Sequence, residues 1–96
     1  MKKIWKFPIP NIQNNQDIHM PLNCRILDVQ FQFGKLMMWC EVEYTAGIEP
    51  VYQDRRIWIF GTNHPLPEHV NLHYITTVQQ DGGALIWHIY EELSTS

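Results

Sequence analysis

The chain has 96 residues, room for one small domain, and carries ten acidic against seven basic side chains for a formal net charge of −3. Apolar residues make up 45% and charged ones 18%, which excludes a disordered chain, and the acidic balance argues against holding a long nucleic acid by neutralising its phosphates. No run of about eighteen apolar residues occurs, so no membrane-spanning helix is expected, and Met1-Lys2-Lys3-Ile4-Trp5-Lys6 lacks the apolar stretch of a secretory signal.

In chain order the pattern is that of strands. Residues 3–7 set Ile4 against Trp5 and Lys6 and stop at Pro8; residues 11–16 read as loop; residues 16–20 form a second short strand ending at Pro21. Leu27, Val29, Phe31 and Phe33 then alternate with Asp28, Gln30 and Gln32, a half-buried strand. Gly34-Lys35 offers a tight reversal, and Leu36, Met38, Cys40, Val42 and Tyr44 return along the inner face. Residues 45–54, with Gly47 and Pro50, read as loop. Residues 56–61 are apolar on both sides, Ile57 and Ile59 opposite Trp58 and Phe60, which predicts a strand covered on both faces. Residues 63–71, with Pro65 and Pro67, leave room for one helical turn near Pro67. A second hairpin runs from residues 72–79 through Asp81-Gly82 to residues 84–91, and residues 94–96 read as a frayed end. No segment sustains a 3.6-residue period. The expectation is a single domain over residues 1–96, mostly β, a small antiparallel β-sandwich or half-open barrel of about six strands.

Several chemistries fall for want of residues. The serines are Ser94 and Ser96 in the tail, no phosphate-binding glycine loop is present, and no CxxC pair occurs. Cys24 and Cys40 read as reduced, packed side chains, bridged only if their strands bring them together; paired with a histidine, either could be a nucleophile, but the apolar face suppresses the Cys40 thiolate, while Cys24, at a loop-to-strand junction, is less constrained. His64, His69 and His73, with Glu68 among them, have metal-like spacing, yet Pro65 and Pro67 deny them a helix, so no metal and no other cofactor is expected. Glu41 with Glu43, and Glu91 with Glu92, read as solvated strand edges.

Two features point to binding. Gly61-Thr62-Asn63-His64-Pro65 leaves a two-sided apolar strand and gathers a hydroxyl, an amide and an imidazole, groups that fix a small polar ligand; its plainer reading is a loop that satisfies its own backbone. The aromatics, four each of Trp, Tyr and Phe, exceed what one small core takes in, and Trp58 and Trp87 sit opposite apolar neighbours. Surplus aromatics serve interfaces or stack on nucleobases.

Ile4-Trp5-Lys6-Phe7-Pro8, Met20-Pro21 with Ile26-Leu27-Asp28-Val29-Gln30, Gly61-Thr62-Asn63-His64-Pro65, Tyr74-Ile75-Thr76-Thr77-Val78 and Gly82-Gly83-Ala84-Leu85-Ile86-Trp87-His88 span nearly the whole chain. In these the sequence resembles a family of small, uncharacterised phage and prophage proteins with a Gly-Thr-x-His-Pro loop and a Gly-Gly-x-Leu-x-Trp-His strand. Asn63 stands where many members have Gly, and Asn tolerates the left-handed backbone. The resemblance implies a viral product in the host bacterial cytoplasm and carries no catalytic role. The expected function is a non-enzymatic phage accessory protein, homo-oligomeric, that binds a host defence protein or sequesters a small nucleotide-like signal. Its site residues are Trp58, Thr62, Asn63, His64, Trp87 and His88. The alternative is a minor virion or assembly protein that packs subunits through apolar strand faces.

Overall fold

The computed structural model describes residues 1–13 and 15–93; Asn14, within the expected loop 11–16, and the tail 94–96 lie outside the described residues. Seven strands follow one another: β1 (Lys2–Pro8), β2 (Gln16–Pro21), β3 (Arg25–Gln32), β4 (Lys35–Glu43), β5 (Tyr52–Gly61), β6 (Leu72–Gln80) and β7 (Leu85–Glu92). They form two antiparallel sheets, ordered β1-β4-β3 and β2-β5-β7-β6. This is the sandwich of the two expected architectures. Seven strands stand where about six were expected, because both short N-terminal segments find a partner, β1 along β4 and β2 along β5. The region around Pro67 makes no helical turn; the chain instead turns at Glu68-His69, with His69 at φ 64.

The core lies between the sheets. Val29, Leu36, Met38, Cys40 and Val42 come from the three-stranded sheet, and Ile18, Met20, Ile57, Ile59, Val78 and Ile89 from the four-stranded one. These are the inward members of period-two alternation, and each contributes roughly 1.5–3 kcal/mol by leaving water. Trp5, Phe7 and Trp87 pack against this cluster, so part of the aromatic surplus does go inward.

Register departs from simple alternation in three places. The β3–β4 reversal is Phe33-Gly34, not Gly34-Lys35: Gln32 pairs with Lys35, and the two turn residues have φ 51 and φ 77, the mirror-image turn that suits the twist of a hairpin. Phe33 therefore leaves the core face and stands 97% exposed at the tip. A bulge between Ile26 and Asp28 leaves Leu27 over as the extra residue; Ile26 takes the inward place opposite Cys40 and Leu27 turns to solvent. A second bulge, between Tyr74 and Thr76, puts Tyr74 opposite Tyr90 on the outer face while Thr76, two residues on, lies opposite Ile89 on the inner one.

One charged pair lies inside. Arg55 on β5 grips Glu91 on β7 through both carboxylate oxygens, at 2.5 and 2.7 Å, and its Nη1 donates to the Cys24 carbonyl at 2.5 Å. Glu91, 7% exposed, is thus no solvated edge, unlike the sequence expectation; its partner comes from across the sheet. The two cysteines are buried and free. Burial, helped by the neighbouring Cys24 thiol, pushes the Cys40 thiol up to about 12, so it stays protonated and inert at neutral pH.

Candidate functional site

The outer face of the four-stranded sheet carries the residues of interest. β5 turns Trp58 and Phe60 outward, because Ile57 and Ile59 take the core positions between them. On β7 the same parity sends His88 and Tyr90 outward around the buried Ile89, and the bulge on β6 adds Tyr74. The result is a continuous aromatic row across three strands. Trp58 and Phe60 stack with centroids 5.6 Å apart and planes 12° from parallel. Phe60 meets Tyr90 edge to face at 5.6 Å, and Tyr90 meets Tyr74 the same way at 5.4 Å. Offset stacks and T-shaped contacts are the favoured geometries of aromatic rings, each adding about 0.5–1.5 kcal/mol beyond burial. The indole Nε1 of Trp58 donates to Glu92 at 2.8 Å, which satisfies its polar end and fixes the ring.

Beside the rings runs a line of hydrogen bonds. His88 Nε2 lies 2.9 Å from the Thr62 hydroxyl and Nδ1 3.0 Å from the Thr77 hydroxyl, which is itself 2.7 Å from the Tyr74 phenol oxygen. A hydroxyl can donate or accept, so both imidazole nitrogens are satisfied in either tautomer. In a nucleophilic triad the third member is a carboxylate that steadies the imidazolium. Here hydroxyls hold that place, so the line orients donors and acceptors.

The turn after β5 closes the site. His64 N–H donates to the Gly61 carbonyl at 3.2 Å, and Asn63, third of the four residues, has φ 71, a position that Gly or Asn fills most readily. The His64 ring lies on Gly61: a Cβ there would come within 3.0 Å of Cε1, so the glycine lets the imidazole fold back. A pocket of about 220 Å³ results, walled by Phe60, Tyr90 and Leu66, with His88 and the Thr62–Asn63 turn at its edge. That is below the roughly 300–1,000 Å³ of pockets for drug-sized ligands, and leaves room for a single ring system rather than a large molecule.

Of the six residues expected from sequence, the structure gathers Trp58, Thr62, Asn63, His64 and His88 on this face or its closing turn. Trp87 is not with them. It faces the core opposite Val78, and its Nε1 donates to Gln80 at 2.9 Å. Sequence reasoning missed Phe60, Tyr90, Tyr74 and Thr77 as site residues. Period-two parity places Phe60 and Tyr90 with Trp58 and His88; Tyr74 is hidden by the bulge. His69 stands almost fully in solvent, 3.9 Å from Glu68, and among the described residues no group of three or more His, Cys, Asp or Glu side chains could hold a metal ion. No helix among the described residues is long and apolar enough to cross a membrane.

Comparison with known proteins gives one match. A family model described as a domain of unknown function (DUF7352) matches residues 1–96, and the chain belongs to that family. No curated protein and no solved structure matches it.

Proposed function

We propose that this member of the DUF7352 family is a non-enzymatic binding protein that holds a small nucleotide-like ligand by its planar base, on the outer face of the four-stranded sheet. The observation that carries the reading is the row Trp58–Phe60–Tyr90–Tyr74 running beside the Thr62–His88–Thr77 hydrogen-bond line. Stacking supplies sequence-tolerant affinity for any base, about 1–3 kcal/mol each, and fixed hydroxyl and imidazole groups read the edge of the ring. Tyr74, 50% exposed, offers the open stacking surface. The residues walling the pocket include no Asp, Glu, Lys or Arg, which suits the uncharged base rather than the phosphates.

The motif resemblance to phage and prophage proteins supports the setting: an accessory protein in the host bacterial cytoplasm that withdraws a nucleotide-like signal from a defence system. Calorimetric titration with a panel of nucleosides and cyclic or linear oligonucleotides tests the reading. Binding that falls at least about tenfold in both Tyr74→Ala and Thr62→Val supports it. A panel that gives no heat and no shift in melting temperature at millimolar ligand sinks it and turns attention to a protein partner for the same face.

A further inference from the structure

The β3–β4 hairpin ends in an anomaly. Phe33 occupies the first central position of a mirror-image turn with φ 51, where Asn, Asp or Gly is the usual residue, and its side chain is 97% exposed. A bulky ring in the left-handed region is strained, and an aromatic ring in water forgoes burial. Among the described residues nothing offsets either cost, since so exposed a ring makes almost no contact with them. A compensating contact has to come from outside.

The same hairpin also presents a hole. Ile9, Pro10 and Ile12 on the β1–β2 connection face Phe31, Leu36 and Met37 across an apolar groove of about 430 Å³, and Lys35 is the charged residue at its lip. Knob and hole are neighbours on one surface. Two copies related by a two-fold axis can therefore each place the ring in the other's groove, a contact that closes on itself rather than growing into a fibre. We infer that the chain forms a two-fold dimer by reciprocal insertion of Phe33 into this groove. Two rings at about 150–250 Å² each, with matching groove wall, bury roughly 600–1,000 Å². The exposed Pro8 and Pro10 at the margin carry the total toward the ~1,200 Å² at which specific interfaces begin. An interface of that size belongs to the weak, transient class. Each copy brings Lys35 to the contact, so added salt tightens it by screening the pair. The groove shares no residue with the aromatic face, and the inference stands apart from the ligand proposed there.

Sedimentation velocity of the full chain over a concentration range of roughly 5–500 µM tests this, with Phe33→Asn beside the wild type. Asn suits the turn better than Phe does. The variant is therefore expected to melt about 4 °C higher at the dilute end while its dimerisation weakens at least about tenfold. Phe33→Leu, which keeps an apolar but smaller knob, is expected to lie between the two. Stability and association moving in opposite directions supports the inference. A wild type that stays monomeric at about 500 µM overturns it and leaves the groove to another partner. Dimerisation unchanged in Phe33→Asn overturns it too, as does a dilute variant that melts lower, which would make Phe33 a support of its own hairpin.

Discussion

The two outer faces of the sandwich rest on the same alternation and end with opposite chemistry. On the three-stranded sheet Met37 and Trp39 point outward half-buried among charged chains, while Ile4, on the edge strand β1, stays 62% exposed. Glu41 takes Lys2 at 3.2 Å and Arg25 at 3.0 Å, and Lys6 reaches across β4 to Gln32 at 2.8 Å. Long amine side chains lay their methylene stems on apolar surface and keep their heads in water. Apart from Ile4 at its β1 edge, that face is largely covered by its own polar chains. On the four-stranded sheet the ion pair of Asp17 with Arg56 lies toward the β2 margin, and the centre is aromatic, open at Tyr74. An outward aromatic left uncovered by its own chain marks a binding face better than aromatic content alone does.

The largest effect tests whether the two layers stand independently. Arg55 joins the four-stranded sheet to the Cys24 carbonyl just before β3, and truncating it strands the buried Glu91 carboxylate. Arg55→Met is expected to cost about 3–5 kcal/mol in denaturant unfolding, and adding Glu91→Leu to recover much of it, because two matched apolar groups carry no desolvation penalty. Failure of the double variant to recover would mean that the link to Cys24, not the charge pair, carries the stability.

Next in size is Phe60→Ala. Phe60 is only 8% exposed despite its outward position, since Trp58, Tyr90 and the 61–66 turn enclose it. A loss of about 3 kcal/mol is expected, the signature of a second small core on this face. A loss under about 1 kcal/mol would make the row a surface decoration and remove the contrast between the faces. Tyr74→Phe lies lower again. It removes one exposed hydroxyl from the Thr77–His88 line, and about 0.5 kcal/mol of stability is expected to go with it.

Much of this was legible because strand alternation survives translation into structure. The core positions of β4 are the ones its alternation names; on β5 alternation separates Ile57 and Ile59 from Trp58 and Phe60 but leaves open which pair meets the core, and sheet pairing sets Trp58 and His88 together on the outer face. What the sequence hid turns on single inserted residues. Leu27 and Ile75 carry no mark that makes them bulges, yet each shifts the parity of its strand, and the second brings Tyr74 into the site. The sequence places Trp87 with its neighbour His88, but adjacent strand residues face opposite ways and Trp87 turns to the core. Glu91 reads as a solvated edge in the sequence because its partner, Arg55, lies 36 residues away and only sheet pairing brings them together.

The smallest effect separates the faces by pH. Hydrogen bonds from Lys2 first, and then Arg25, hold the Glu41 carboxyl below its ordinary value. A carboxyl depressed in the folded state binds protons more readily when unfolded, so its stabilisation is full above the unfolded value and is lost as pH falls through the folded one. Because the partners Lys2 and Arg25 are largely in solvent on this outer face, the contribution is small and salt weakens it. Glu41→Gln should therefore leave stability nearly unchanged below the folded value and reduce it slightly at neutral pH and low salt. Phe60→Ala, which moves no proton, should subtract the same amount at every pH. Parallel acid limbs for wild type and Glu41→Gln would show that the ion pairs over the three-stranded sheet add nothing measurable, and that this face is closed by the packed stems alone.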